Sequence, residues 1–441
     1  MDLTFITDLL SGKCVRKRYQ EMLESQWYSR GDIQELQLIK LQKLMSHCYQ
    51  NVPFYRNFMK MKGIVPTDFC SLSMIDELPI VTKETIKKNY IGFTPKNIGQ
   101  IKGVKTSQTG GTTGSILIKR NDANTRSIIW AAYKRYEDWM RYKPGDKSLI
   151  LMGGHVIMHH GYALYHDRVK RIVIDALKNQ ISINPYNTDK QTTSRIVEVI
   201  THNKIALIRG YSQYLYNLCQ ILKARGIGAH IPIVSTTAEP LMPEHRAMYL
   251  DVLGSEAFDQ YGCGEIGGIS FECDKHQGMH IAEEHVIVEQ NAQNDLIVTD
   301  LDNYSMPFIR YHNGDQAIMD SSRCRCGREH RLIRQVNGRI CDYVVGANDE
   351  YLHWAYFWHL VFDSGITQRR DLKKFQIIQS SKEEIIFKYV ADKLSPQEEK
   401  VISDNIQSRL GGIKVRFSQE DDIPNAATGK YRPVINELLL H

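Results

Sequence analysis

The segment Ser107-Gln-Thr-Gly-Gly-Thr-Thr-Gly-Ser115 places three glycines among serines and threonines, just before the apolar run Ile116-Leu-Ile118. Glycine permits positive φ and close backbone approach, so such a loop can surround phosphate oxygens with N–H groups and hydroxyls. The Gly-x4-Gly-Lys-Ser/Thr pattern of a Walker loop is absent, and a surface turn can have a similar composition. The segment therefore indicates phosphate binding only in combination with motifs elsewhere in the chain.

Length and composition narrow the class of protein. The 441 residues suffice for two or more domains, and 42% hydrophobic content supports a sizeable core. The net charge is +6 without a Lys/Arg block, so nucleic acid is not indicated as a partner. The first residues carry two acids and no basic region, and no window approaches eighteen uncharged apolar residues, which argues against a signal peptide and a membrane span. Nine scattered cysteines are typical of reduced thiols, so we expect a cytoplasmic protein.

Hydrophobic patterning predicts the large N-terminal part. Residues 1–60 are predicted to be helical, since Leu36, Ile39, Leu41, Leu44 and Met45 recur at helical spacing before Pro53. From about 145 to 300, β-rich runs alternate with amphipathic stretches, which predicts a parallel or mixed sheet covered by helices. The β-rich runs are Ser148–Met152, Arg171–Ile174, Ile205–Ile208 and Ile231–Ser235.

The last hundred residues are predicted to form a separate small unit. Phe375–Ile378 and Glu384–Val390 form a predicted hairpin, followed by a helix from Ser395 to Gly411-Gly412 and a strand at Ile413–Phe417. We therefore predict an α/β (α+β) fold with a large N-terminal domain of mixed sheets covered by helices, residues 1–338. A hinge at 339–342 would connect it to a small mobile α+β C-terminal domain, residues 343–441.

Four further segments accompany the glycine-rich loop in a fixed order. They are Ser235-Thr-Thr-Ala-Glu-Pro-Leu241, Gln260-Tyr-Gly-Cys-Gly-Glu265, Arg310-Tyr-His-Asn-Gly-Asp315 and Ala427-Thr-Gly-Lys430, with Gly338-Arg339 between the last two. In this order they resemble the motifs of the adenylate-forming (acyl-CoA synthetase-like) superfamily. Asn51-Val-Pro-Phe-Tyr55 and Leu78-Pro-Ile-Val-Thr-Lys83 resemble its phenylacetate–CoA ligase and CapK-like branch, and the resemblance extends from about residue 35 to 435.

The resemblance implies an ATP-dependent ligase that converts a carboxylic acid to an acyl-adenylate, releases pyrophosphate and passes the acyl group to a thiol, with CoA as the first expectation. It implies that Glu265 binds Mg²⁺, a hard cation that prefers oxygen ligands. It also implies that Lys430 is a catalytic lysine that bridges the substrate carboxylate and the α-phosphate. Tyr261 would stack on the adenine and Asp315 would accept hydrogen bonds from the ribose hydroxyls. The other implied nucleotide-binding residues are Thr109, Gly110, Gly111, Thr112, Thr113, Gly114, Ala238, Glu239, Pro240, Gln260, Gly262 and Arg339.

Two positions depart from the family pattern. A Pro-Lys pair normally follows the last glycine of the loop, whereas here Ser115-Ile-Leu-Ile precedes Lys119. The hinge usually reads Gly-Arg-x-Asp-Asp, and this chain has Cys341 in the first acidic position and Asp342 in the second. Either Asp342 serves as the pivot or the domain rotation is altered.

A cysteine and histidine cluster follows the Glu265 motif. Cys273, Cys324 and Cys326 with one imidazole would form a closed tetrahedral structural zinc site. The fourth ligand is His276 or His280, and His280 better matches the branch. Such a site would brace the loop that carries Glu265 rather than perform chemistry.

The acid and the acceptor remain open. Aryl carboxylates are the acids that the branch implies, with Gly153–Tyr162 and Arg209–Tyr211 as the expected pocket lining. Three histidines there would also suit a hydroxylated or amino aromatic acid, or an amino acid. The acceptor is CoA, a carrier-protein thiol, or an amine on a polysaccharide precursor. A catalytically silent nucleotide-binding or zinc scaffold is the alternative from another class, and a homodimer resembles the habit of the branch.

Overall fold

The structure is a computed structural model that describes residues 14–109, 117–152, 172–184, 191–239, 241–320, 322–336, 343–346, 351–353, 357, 374–423 and 434–439. It contains a five-stranded parallel sheet, a seven-stranded antiparallel sheet, a four-stranded mixed sheet and two two-stranded sheets. None of the helices in these ranges combines the length and the apolar character that a bilayer crossing requires.

The N-terminal helices are α1 (Val15–Ser25), α2 (Arg30–Asn51), α3 (Pro53–Lys62) and α4 (Lys83–Lys88). A capping box between Ser29 and Asp32 starts α2, and Pro53 then occupies the first position of α3, where its missing N–H costs nothing. The predicted helical character is confirmed for the described part of this segment. Leu41, Leu44 and Met45 are fully buried against the antiparallel sheet, whereas Ile39 is exposed.

The parallel sheet comprises β3 (Ser148–Leu151), β4 (Gln180–Ile183), β5 (Leu207–Tyr211), β6 (Ile233–Thr237) and β7 (Glu256–Phe258) in the order β4-β3-β5-β6-β7. Helices α7 (Gln191–His202), α8 (Ser212–Ala224) and α9 (Pro243–Leu253) alternate with these strands, as the pattern predicts.

One predicted strand of this region is wrong. Residues 172–177 form a helix, α6, although Ile172, Val173 and Ile174 are β-branched. These side chains are 37–61% exposed, so no sheet neighbour covers them, and β-propensity depends on such neighbours. The strand beside β3 is instead β4, a more polar segment that the periodicity did not indicate.

The strands of the antiparallel sheet are β8 (Gln260–Tyr261), β9 (Ser270–Glu272), β10 (Met279–Ile281), β11 (Val286–Gln290), β12 (Asp295–Asp300), β13 (Tyr311–Asp320) and β14 (Leu332–Val336). Their order in the sheet is β11-β12-β13-β14-β10-β9-β8. A separate hairpin is formed by β1 (Lys105–Thr109) and β2 (Leu117–Asn121), which pair antiparallel with Thr109 opposite Leu117. Both ends of the glycine-rich loop are therefore fixed by one strand pair.

Helix α5 (Ala123–Trp139) follows this hairpin and packs between the two large sheets. Its N-cap Asp122 accepts a hydrogen bond from the Thr125 N–H at 2.9 Å. Arg135 in the middle of the helix is 1% exposed and pairs with buried Glu284 of the segment between β10 and β11. Burial opposes ionisation of Glu284, but Arg135 and His330 hold the pKa of this carboxyl well below its usual value. The ion pair thus joins α5 to the antiparallel sheet.

The C-terminal unit contains β15 (Tyr343–Val345), β16 (Tyr351–His353), β17 (Lys374–Gln379), β18 (Glu384–Val390), α10 (Pro396–Leu410), β19 (Lys414–Gln419) and β20 (Val434–Asn436). The predicted hairpin, helix and strand are confirmed, including the Ser395–Glu398 capping box and a left-handed C-cap at Gly411 with φ of 69°. The predicted hinge 339–342 lies outside the described residues.

Candidate active site

Tyr261, Asn313 and Asp315 form one hydrogen-bonded group, although β8 and β13 lie at different places in the antiparallel sheet. The Tyr261 hydroxyl donates to Asp315 Oδ2 at 2.7 Å and accepts from Asn313 Nδ2 at 2.6 Å. Removal from water and the neighbouring Asp315 carboxylate raise the pKa of Tyr261 well above its usual value, so the hydroxyl stays protonated. The two residues predicted to contact adenine and ribose are therefore adjacent.

Gln260 and Gly262 flank Tyr261 in the structure. Gln260 is 5% exposed, and its Oε1 has no hydrogen-bond partner among the described residues. A Cβ at Gly262 would lie 3.1 Å from the backbone nitrogen of Gly268, so two segments of this loop approach each other closely and a larger residue would require the Gly268 backbone to shift. The tight loop presents Glu265 a few residues further on.

Two lysines approach Glu265, whose side chain is buried. Lys83 Nζ at the start of α4 lies 3.6 Å from Glu265 Oε1, and the two side chains are 13% and 9% exposed. Lys119 Nζ on β2 lies 3.5 Å from the Glu265 backbone oxygen. Burial lowers the pKa of Lys119, although Cys263 and Glu265 act in the opposite direction. Two ammonium groups, Lys83 on α4 and Lys119 on β2, thus lie near Glu265, one at its carboxylate and one at its backbone oxygen.

The end of β6 supplies the next predicted segment. Ala238 has φ of 66°, an uncommon conformation for a residue with a Cβ, and Glu239 is 6% exposed. Strain of this kind occurs often at ligand-binding turns and is retained when the surroundings fix it. Pro240 lies outside the described residues.

The expected pocket lining at 153–162 lies outside the described residues, and so do several of the predicted nucleotide-binding and catalytic residues. Thr109 ends β1, but Gly110, Gly111, Thr112, Thr113 and Gly114 lie outside the described residues, as do Arg339, Cys341, Asp342 and Lys430. Their roles stay predictions.

Cys273, His280, Cys324 and Cys326 come together beside α5, as expected. The sulfur atoms of Cys273 and Cys324 are 3.6 Å apart, and Cys326 Sγ lies 3.3 Å from His280 Nε2. All four ligand atoms lie within 4.8 Å of one another. Tetrahedral zinc with bonds of about 2.3 Å places two sulfurs about 3.8 Å apart, so the donor set fits this ion. The Cys273 thiol and the His280 ring lower the pKa of Cys326, which favours a thiolate.

His276 lies outside this cluster. Its Nε2 is 2.9 Å from Glu256 Oε1 and its Nδ1 is 3.2 Å from Glu272 Oε1. Between the two histidines that the sequence left open, the geometry selects His280 as the fourth member.

A second buried group is charge-balanced without an ion. His285 Nδ1 lies 3.1 Å from Asp302 Oδ2 and 3.5 Å from Asp300 Oδ1, and Lys40 Nζ lies 2.6 Å from Asp302 Oδ2. Burial opposes ionisation of Asp302, but Lys40 and His285 lower its pKa to about 2. An ammonium group occupies the position beside Asp302 that a metal cation would need, so we assign this group to structure.

The chain is similar to several known proteins. A family model described as the CapK C-terminal domain matches residues 361–437. The phenylacetate–coenzyme A ligase of Thermus thermophilus is 24% identical over 346 residues, which cover 74% of this chain and 74% of the relative. That of Escherichia coli is 25% identical over 343 residues, which cover 72% and 73%.

The fold is also similar to solved structures. 2-Hydroxyisobutyryl-CoA ligase in complex with 2-HIB-AMP and CoA superposes with a TM-score of 0.61 and 17% identity over 93% of this chain and 91% of that chain. Its fold, α/β with a small C-terminal domain, is the one predicted here. The sequence comparisons support the adenylate-forming superfamily, its phenylacetate–CoA ligase branch and an AMP-forming CoA ligase, and the solved structure shows a similar fold.

The sequence motifs do not assign a role to Lys83, Lys119 or Asn313. Lys83 belongs to a branch-typical segment, Lys119 follows the departure after the glycine-rich loop, and Asn313 lies within the Arg310–Asp315 motif. The signal for Lys83 is its position, because it opens a short helix directly after Leu78-Pro-Ile-Val-Thr82.

Proposed function

We propose that this enzyme activates a carboxylic acid, with aromatic acids as the expected class, by reaction with ATP. The acid carboxylate attacks the α-phosphorus, the bond from the α-phosphorus to the bridging oxygen breaks, and pyrophosphate leaves with its electron pair. The acyl group of the resulting acyl-adenylate then passes to the thiol of CoA, and AMP leaves. The observation that carries the proposal is the convergence of Lys83, Lys119 and Glu265 beside the Tyr261–Asp315 pair.

The charge arrangement suits the phosphoryl step. Negative charge grows on the α- and β-phosphate oxygens in the transition state, and fixed cations lower the energy of that state more than they stabilise the reactants. Lys83 on α4 and Lys119 on β2 lie close to Glu265. Mg²⁺ bound by Glu265 would supply further positive charge at the phosphates.

The nucleoside end of the site suits adenosine. The Tyr261 ring offers a stacking surface, and its hydroxyl holds Asp315 in place for two ribose hydroxyls. The unpaired Gln260 Oε1 is an acceptor that suits the exocyclic amine of adenine. Lys430 on the C-terminal unit stays our prediction for the catalytic lysine that joins the carboxylate and the α-phosphate.

Zinc bound by Cys273, His280, Cys324 and Cys326 would have a structural role. Four protein ligands leave no open position for substrate, which separates structural from catalytic zinc sites. Cys273 follows β9 and His280 lies on β10, so the ion would fix the hairpin that continues from the Glu265 loop. Bound zinc would therefore stabilise the active-site loop.

The acceptor is the less determined half of the reaction. A carrier-protein thiol or an amine is the second candidate for the acceptor, because residues 361–437 match the CapK C-terminal domain. A homodimer likewise stays a prediction.

A screen for pyrophosphate release over aryl, fatty and amino acids tests the proposal. We expect at least one acid to release pyrophosphate with ATP and Mg²⁺, and we expect Glu265→Gln to abolish the release. Trapping of the activated acid with hydroxylamine, carried out with and without CoA, distinguishes the acceptors. Consumption of CoA in a reaction without hydroxylamine indicates that a thioester is formed. Release that is independent of every acid, or that persists in Glu265→Gln, would contradict the proposed activity.

A further inference from the structure

Arg209 is a largely buried cation near the carboxyl ends of the strands in the parallel sheet. The proposed adenylation chemistry gives this residue no role. Arg209 lies on β5 in register with Ser235 of β6, and its Nε donates to Ser235 Oγ at 3.3 Å. Strand β6 ends at Thr237 and continues into Ala238 and Glu239 of the nucleotide segment. Arg209 lies two residues before the carboxyl end of β5, and ligands of open α/β sheets bind at that end of the strands.

Helix α5 provides the surroundings of this guanidinium. The Arg209 guanidinium lies 5.7 Å from the centre of the Tyr133 ring, and the Tyr136 hydroxyl lies 3.2 Å from Ser235 Oγ. Glu137 is the nearest carboxylate in the described residues, with its Oε1 3.6 Å from Arg209 Nη2. The Arg209 side chain is 12% exposed.

The hydrogen-bonding capacity of Arg209 is not used up by these neighbours. A separation of 3.6 Å is too long for a hydrogen bond, and Nη2 is buried without a hydrogen-bond partner among the described residues. Buried donors of native proteins are nearly always paired, and an unpaired one carries a free-energy cost that a ligand acceptor would remove. The unpaired N–H groups of Arg209 Nη2 therefore indicate that a ligand with a hydrogen-bond acceptor binds here.

A second basic side chain interacts with Arg209. Lys178 lies 5.0 Å from the Trp130 ring centre and interacts electrostatically with both Arg209 and Glu137. Asp175 and Lys134 also act on Lys178, and Asp138 is a counter-charge for Lys134. The unpaired Nη2 of Arg209 is therefore the feature that favours an anion.

We propose that Arg209 determines substrate specificity by binding a second acidic group of the acid, so that the enzyme prefers acids with a further carboxylate over acids with an apolar end. This inference rests on the proposed adenylation activity and adds the class of acid to it. A guanidinium is suited to the role, because its planar N–H groups match both oxygens of a carboxylate.

Matched pairs of acids test the inference directly. 4-Carboxyphenylacetate is compared with 4-methylphenylacetate, and glutarate with pentanoate, by the kcat/KM of acid-dependent pyrophosphate release. Hydrogen bonds between charged groups change binding by about tenfold to a hundredfold. We expect the wild type to prefer the doubly acidic member of at least one pair by about tenfold or more. In Arg209→Leu this preference should disappear, and in Glu137→Gln it should increase, because Arg209 then loses its competing carboxylate.

Control variants separate specificity from folding. Arg225→Leu changes an exposed arginine at the end of α8 and should keep the wild-type preference. If Arg209→Leu fails to fold by circular dichroism, Arg209→Lys and Glu137→Gln carry the test, with a reduced and an increased preference expected. Wild-type preference for the neutral acid in both pairs, or an equal loss for both members in the Arg209 variants, overturns the inference. Absence of pyrophosphate release with every acid of the broad screen instead refutes the adenylation activity itself.

Discussion

Lys83→Met is the substitution that most directly tests the charge arrangement around Glu265. It removes an ammonium 3.6 Å from the Glu265 carboxylate and retains much of the apolar stem. With an effective dielectric constant of about 20, Coulomb's law gives an interaction of about 5 kcal/mol at that distance. Desolvation of the two largely buried groups reduces the net effect on stability, but the substitution leaves the Glu265 carboxylate buried without the Lys83 ammonium.

The expected consequence is a loss of catalysis larger than the loss of stability. Removal of one preorganised charge typically lowers the rate by about 10²–10³-fold, and we expect a decrease of this size in the exchange of labelled pyrophosphate into ATP. Lys87→Met on the same helix is the matched control, since Lys87 is exposed. Exchange by Lys83→Met within about threefold of the wild type, with Glu265 still required, would show that Lys83 does not act on the phosphates and would refute the argument.

Three further changes have defined outcomes. Burial and, to a lesser extent, the nearby Glu272 raise the pKa of Asp259 to about 7. The contribution of Asp259 to stability is therefore present at low pH and is lost as the pH rises from about 4 to about 7. In Asp259→Asn the unfolding free energy measured by urea denaturation should depend less on pH in that window, and an unchanged pH dependence would contradict this cause. Tyr261→Phe loses the hydrogen bond to Asp315 and should raise the KM for ATP by about two- to tenfold with little change for the acid, whereas an effect on the acid alone would argue against a nucleotide role. Elemental analysis of the purified protein should find about one zinc ion per chain. Cys326→Ser should lose the metal and unfold at a lower temperature than the wild type. A wild-type protein that contains no metal and is as stable as Cys326→Ser would rule out the zinc site.

Several local features of the fold follow from short-range chemistry. Ser395, Pro396 and Glu398 form the predicted helix start because the capping interactions lie within one turn. Three parallel strands were recognisable because each is a short apolar run. The segment after residue 171 shows the limit of this reasoning, since β-branched side chains form strands only where neighbouring strands cover them.

The site depends on contacts that short-range patterns do not contain. Lys83 reaches Glu265 across 182 positions because Val81 forms a parallel bridge with Tyr311 and so fixes the start of α4 against the antiparallel sheet. The selection of His280 over His276 depends on strand register, since His280 lies on β10 opposite Phe271 and Leu332. Both contacts are set by how distant segments pair, which residue spacing alone does not specify.

The transfer of carboxylate oxygen to AMP tests the central claim most directly. When the accepted acid carries ¹⁸O in its carboxylate, attack on the α-phosphorus followed by acyl transfer leaves one of these oxygens on the phosphate of AMP. We expect mass spectrometry to detect AMP with one ¹⁸O in the presence of ATP, Mg²⁺ and the acceptor. Formation of ADP, or of AMP without label during acid-dependent turnover, would contradict adenylation at this site.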